Sequence, residues 1–142
     1  MKRFAIQALV LAAAFSASGS ALAQDYFSGR FAQPSGEAVF KNICQGCHMP
    51  NAQGAVGAGH YPALAGNPKL IEPGYPVMMV MSGNKAMPSF GNDLDDTQIA
   101  NVVNYVRTHF GNHYTDAVTP QFVASARPAK MTKPAGKAKE HN

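Results

Sequence analysis

An all-α domain of three to five helices is the fold this sequence predicts, and three observations carry the expectation. Gly36, Val39, Phe40 and Ile43 recur at helical spacing, which puts them on one buried stripe. Ile99, Val102, Val103, Val106 and Phe110 repeat the pattern over a longer run. Just after the first stripe stands Cys44-Gln45-Gly46-Cys47-His48, two cysteines three apart with a histidine directly behind, the pattern of covalent c-type haem attachment. One turn of backbone brings both thiols to the two vinyl groups of a single porphyrin, and the adjacent imidazole swings beneath the iron as its proximal ligand. The helices are therefore expected to wrap around one covalently attached haem c.

Other readings of the motif fit less well. A thioredoxin-like redox pair wants a strand before it and a helix after it. A zinc site on Cys44, Cys47 and His48 needs a distant fourth ligand, and the chain has no third cysteine. A plain disulfide leaves His48 and the downstream methionine without a role.

The first residues read as an address. Lys2 and Arg3 precede a mostly apolar run from Phe4 to Phe15, and Ala21-Leu22-Ala23 forms a small-residue cleavage site. Residues 1–23 are thus expected to be a cleaved secretory signal peptide, and no membrane anchor is expected. The apolar run breaks up at Ser16, Ser18, Gly19 and Ser20, short of the roughly 20 apolar residues of a spanning helix. Export to the periplasm agrees with the haem reading.

Charge is unevenly spread. From Gln24 to Ala126 five basic residues face seven acidic ones, whereas Arg127, Lys130, Lys133, Lys137 and Lys139 are opposed only by Glu140. An acidic body with a basic tail differs from the basic, aromatic-studded face of a nucleic-acid binder, so no nucleic-acid partner is expected. Residues 127–142 are rich in Pro, Ala and Lys without an apolar pattern and are expected to be a disordered basic tail.

In chain order, residues 24–34 form a lead whose Tyr26, Phe27 and Phe31 can pack on a surface. The folded domain, with a C-terminal extension, is expected over 35–126. Ser35 after Pro34 is a good N-cap for the first helix. Gly36 and Phe40 are four apart, so the glycine leaves room for a close helix crossing. Beyond His48, Gly54, Gly57 and Gly59 predict a flexible loop leading to Pro62. A proximal histidine needs its second ring nitrogen donated to an acceptor; the Pro62 carbonyl, on a backbone of fixed φ, is the candidate. Leu64 is placed to pack on the haem, and Pro68 opens another short helix.

Gly74 to Gly83 is expected to be a buried helix, with Met78, Met79 and Met81 as plastic core filler. Met87 stands in a loop, held by Pro88, and is the candidate sixth ligand of the iron. Met49, directly behind the proximal residue, cannot wrap around the porphyrin. Asp95 with Gln98 forms an approximate capping box for the last helix, Asp95 and Asp96 favour its positive end, and Gly111 is a fitting stop. Tyr105 is placed to reach the Gly36–Phe40 face. His60, in the glycine loop, is not expected as a native ligand, and His109 and His113 read as surface or dipole-favoured residues.

These residues together resemble the class I monohaem cytochromes c, especially the cytochrome subunits and domains of bacterial periplasmic dehydrogenases. The resemblance rests on CxxCH at 44–48, the Gly36–Phe40 pair with Tyr105, Pro62 and Leu64 as a Pro-x-Leu, Met87 in Met-Pro-Ser-Phe, and the helix to Phe110. It covers Ser35 to Gly111. Tyr61-Pro62-Ala63-Leu64-Ala65-Gly66-Asn67 is similar to segments of flavin- or quinone-dependent alcohol and sugar dehydrogenase cytochromes. The resemblance implies the class I cytochrome c fold and a non-catalytic, periplasmic one-electron carrier. A flavo- or quinoprotein dehydrogenase would be the donor, and another cytochrome or a terminal oxidase of the respiratory chain the acceptor. A haem-based gas sensor or haem enzyme with a labile sixth ligand is the alternative, and a structural haem protein a third reading.

Overall fold

Ser35 begins the folded helices as its sequence predicts. The computed structural model describes residues 31–57 and 59–131. The chain divides into two units, Met1–Ala32 and Gln33–Asn142. The leader and residues 24–30 of the lead, including Tyr26 and Phe27, lie outside the described residues, as does the tail from 132. Within the second unit the Ser35 side chain accepts from the Ala38 N–H, opening α1 (Gly36–Val39). A π turn, Phe40–Cys44, follows and runs directly into α2 (Gln45–His48). Such wide turns occur mostly at functional positions; here it delivers the two cysteines.

The architecture is helical with a small sheet, which corrects the purely α expectation. β1 (Ala55–Val56) and β2 (His60–Tyr61) pair antiparallel, Ala55 opposite Tyr61 and Val56 opposite His60. The expected glycine loop is therefore a short ribbon, too brief for any alternation of apolar and polar residues to announce it. A 3-10 turn, Pro68–Ile71, is capped by the Asn67 side chain, which accepts from the Lys69 N–H.

α3 (Gly74–Ser82) stops at Gly83, whose φ of +67° ends the helix. Pro76, Val77 and Met81 are buried, but Tyr75 and Met78 are exposed. α3 is thus one-sided rather than buried all round, and only part of its methionine cluster fills the core.

α4 (Asp96–Thr108) carries the full capping box of Asp95 and Gln98. Ile99, Val102, Val103 and Val106 are all buried. The helix ends two residues before Phe110. Phe110 and Gly111 both take positive φ, +58° and +77°, folding the Phe110 ring back onto Phe40 at 4.9 Å between centroids. α1 crosses α4 at Gly36: a Cβ there would lie 2.0 Å from the Asn101 carbonyl oxygen and 2.9 Å from Tyr105 Cβ. Only glycine lets the two backbones meet. Tyr105 reaches Phe40 at 5.8 Å, as its position predicts.

α5 (Pro120–Ala126) is an element the sequence reading did not assign. Thr119 caps it, Pro120 opens it and Val123 buries it, against α4 and α3. Arg127, counted with the disordered tail, has its guanidinium in a buried ion pair with Asp96, Nη2 to Oδ1 2.7 Å. The expected boundary at 127 therefore falls too early. Among the described residues no helix is long and apolar enough to cross a membrane.

Candidate functional site

The proximal side is assembled by short-range backbone bonds around His48. Its ring is buried, and Nδ1 donates to the Pro62 carbonyl oxygen at 3.0 Å. An acceptor at Nδ1 fixes the hydrogen there, so Nε2 presents its lone pair. Gly54 holds donor and acceptor segments together. Its N–H donates to the His48 carbonyl at 3.0 Å, and it sits against Tyr61 and Pro62 so tightly that a Cβ would lie 2.1 Å from the Tyr61 oxygen. Ala52, at φ +59°, accepts from the Leu64 and Ala65 N–H groups at 2.8 and 3.0 Å. These bonds hold Pro62 and Leu64 to the segment that carries His48, and Cys44 and Cys47 precede it on the same helical stretch. Cys44 is half-buried, Cys47 is exposed, and neither is in a disulfide.

Asn112 anchors this cluster to the end of α4. Its Oδ1 accepts from the Asn67 N–H at 3.0 Å, and its Nδ2 donates to the Leu64 and Val106 carbonyls, both at 2.8 Å. Sequence reasoning missed Asn112. An asparagine just past a helix stop at Gly111 reads as loop, and its partners lie up to 48 residues away.

Met87 stands on a separate loop, half-buried. Asn84 and Met87 exchange both backbone bonds, at 3.0 and 2.9 Å. Gly83 lies beneath, where a Cβ would come 2.4 Å from the Met87 oxygen. Lys85 takes φ +53° to make the turn. Downstream, Phe90 and Gly91 donate to the Val80 and Met81 carbonyls of α3 at 3.0 and 3.1 Å. The loop is thus tied to α3 at both ends, with the thioether on the stretch between.

The donor chemistry fits a c-type haem. Two thiols on one helical stretch suit two thioether bonds, an imidazole with its Nδ1 occupied suits a metal at Nε2, and a thioether on a fixed loop suits the opposite axial position. Among the described residues, no group of three or more His, Cys, Asp or Glu side chains able to hold a bare metal ion assembles. His60, His109 and His113 are exposed; His109 stacks on Tyr105 at 4.2 Å.

Known proteins resemble this chain. The fructose dehydrogenase cytochrome subunit of Gluconobacter japonicus is 31% identical over 72% of this chain and 22% of its own length. The gluconate 2-dehydrogenase cytochrome c subunit of Pantoea cypripedii is 32% identical over 66% and 24%. Cytochrome c6 of Diacronema lutheri is 31% identical over 54% of this chain and 95% of its own. The chain spans about a quarter of the length of the dehydrogenase subunits it matches. The family model described as cytochrome C oxidase, cbb3-type, subunit III matches residues 31–106, the stretch that holds every donor described above. The CxxCH turn, the supported histidine and the methionine loop accordingly lie inside a family match that covers more than half of the sequence: the chain belongs to this cytochrome c family, and its cofactor is covalently bound haem c.

Proposed function

We propose that this chain is a non-catalytic, periplasmic one-electron carrier of the class I cytochrome c fold. Cys44 and Cys47 would hold the porphyrin through thioethers, His48 and Met87 would ligate its iron, and Leu64 would pack on the ring. Haem c supplies the exchange of a single electron at iron. The chain's own residues set the conditions for it. Pro62 orients His48 through the Nδ1 bond, which sustains a strong, fixed proximal donor. Met87, a soft ligand, favours the ferrous form and raises the potential. With both His48 and Met87 bound to it, the iron would offer no site for oxygen chemistry, and little atomic movement would accompany electron gain or loss.

The observation that carries this reading is the His48–Pro62 hydrogen bond next to two cysteines outside any disulfide. The donor is a flavo- or quinoprotein dehydrogenase, in keeping with relatives that are cytochrome subunits of fructose, quinone-dependent alcohol and gluconate dehydrogenases; the acceptor is another cytochrome or a terminal oxidase. The partner contact is small and transient, as electron-transfer encounters are.

The test uses holoprotein from the periplasmic fraction. Rapid reduction by a dehydrogenase with its substrate, and a ferrous form that does not bind carbon monoxide without denaturant, are the expected results. Ready binding of carbon monoxide would replace this reading with that of a gas sensor or haem enzyme. Stable co-purification with a dehydrogenase would identify a dedicated subunit rather than a free carrier.

A further inference from the structure

The C-terminal arm reaches back to the far end of the Met87 loop. Arg127, the residue after α5, puts Nε and Nη2 2.9 and 2.7 Å from Asp96 Oδ1. The same guanidinium donates to the Gly91 carbonyl through Nη1 and to the Leu94 carbonyl through Nη2. Asp96 opens α4 and is itself buried, so the arm is clamped to a rigid element and to the loop at once. Met131 adds a second contact. A Cβ on Gly91 would lie 2.6 Å from Met131 Sδ and 2.8 Å from the Met81 oxygen. Gly91, four residues beyond Met87, therefore meets both α3, through its N–H, and the arm, through its carbonyl.

We infer that Arg127 is a positioning residue for Met87: the arm from Pro120 to Met131 is a strap that holds the axial-ligand loop shut. This rests on the reading of Met87 as the sixth ligand. Opening of the loop is a local unfolding event whose cost is set by the contacts it breaks. The ties upstream, Asn84 to Met87, are internal to the loop and open with it. The bonds of Phe90 and Gly91 to α3 remain, and Arg127 and Met131 hold Gly91 in register for them. A foreign ligand that needs the open loop binds with an apparent Kd inversely proportional to the open fraction. Loosening the strap raises that fraction and tightens foreign binding in the same proportion.

The probe is imidazole, added to the ferric holoprotein while the weak near-infrared band of methionine-to-ferric-iron ligation is followed. Without imidazole, Arg127→Ala should keep the band. With it, Arg127→Ala should bind on the order of tenfold tighter than the unaltered protein. Met131→Ala, which leaves the buried Asp96 pair intact, should shift binding the same way, and it serves as the reporter should Arg127→Ala fail to fold. Arg127→Lys should lie between, because an ammonium cannot span Asp96, Gly91 and Leu94 as a guanidinium fork does.

Arg107→Ala is the control: it unties the Leu70 and Ile71 carbonyls from α4 and should lower thermal stability while leaving imidazole affinity unchanged. In the Met87→Ala background, altering Arg127 should have no further effect on imidazole binding. Loss of the band in Met87→Ala, with Arg127→Ala and Met131→Ala binding imidazole like the unaltered protein, would overturn the strap and leave the ligand reading standing. Retention of the band in Met87→Ala would overturn the ligand reading, and the strap with it. An equal tightening by Arg107→Ala would also overturn the strap, reducing it to general destabilisation.

Discussion

His48 Nδ1 and the Pro62 carbonyl oxygen stand 3.0 Å apart, and the residue that makes this possible is neither of them. Gly54 binds the His48 carbonyl through its N–H while its bare Cα, at φ +68°, lies against Tyr61, Pro62 and Ala63. Gly54→Ala should therefore push the Pro62 carbonyl away from the imidazole and strain its own backbone. A cost of roughly 2–4 kcal/mol is expected from the left-handed φ and the clash together, measured by denaturant unfolding of the holoprotein. Gly57→Ala, where the added Cβ meets nothing within 4 Å, should change stability by less than about 0.5 kcal/mol.

Met87→Ala should abolish the near-infrared band and lower the reduction potential. It removes the soft donor proposed for the iron while leaving the Asn84–Met87 backbone ties available. The ferrous variant should then bind carbon monoxide directly. Met78→Ala is the counterpart: Met78 is exposed on α3, and the band should survive its loss. A band that survives at Met87 but disappears at Met78 would reassign the ligand.

Local signals were what the sequence made legible. Ser35, the Asp95–Gln98 box and the Gly83 stop each act within four residues, so their chemistry can be recognised without knowing the fold. Gly36 and Tyr105 were legible for another reason: a small residue and an aromatic on two strongly periodic helices leave few ways to cross. The expected acceptor for His48 proved to be the residue in that position. What stayed hidden were long-range polar ties. The partners of Arg107 and Arg127 were among them, because nothing near either residue in sequence foretells the carbonyls of Leu70, Ile71, Gly91 and Leu94. The π turn was hidden too, since it preserves the apolar stripe of Phe40 and Ile43. α5 did leave a signal in Thr119-Pro120, but Val123 alone is too little to define a stripe.

Glu37 and Lys41, one helical turn apart and both exposed, form an ion pair at 2.6 Å. Hydrogen bonding and attraction to Lys41 lower the Glu37 pKa below 4.5, and the reciprocal contacts raise that of Lys41 above 10.5. A lowered folded-state pKa contributes stability that is present above the unfolded value and lost as pH falls through the folded one. A raised pKa contributes stability that is present below the unfolded value and lost as pH rises through the folded one. The difference in Tm between the unaltered protein and Glu37→Gln should therefore be flat across neutral pH. It should shrink only below the ordinary carboxylate range, or above the ordinary lysine range. Water and salt screen a pair this exposed, so the plateau itself should be small and fade further in high salt.

Arg107 and Asp116 are joined at 2.6 Å, but the side chains differ in burial: 1% exposed for the arginine and 65% for the aspartate. The arginine's other bonds go to main-chain carbonyls, with Nε to Leu70 at 2.9 Å, Nη2 to Ile71 at 3.1 Å and Nη1 to Asp116 itself. Arg107→Ala leaves these acceptors without their donor and empties the space beneath the 3-10 turn; a loss of about 3–5 kcal/mol is expected. Asp116→Ala removes one exposed acceptor and keeps its backbone carbonyl, so a loss below about 1 kcal/mol is expected. Arg107→Lys should fall nearer to the alanine variant, since an ammonium cannot reach carbonyls on both sides. Denaturant midpoints of the three variants give the order, and an Asp116→Ala loss equal to that of Arg107→Ala would mean that the ion pair, and not the carbonyl network, secures this end of α4.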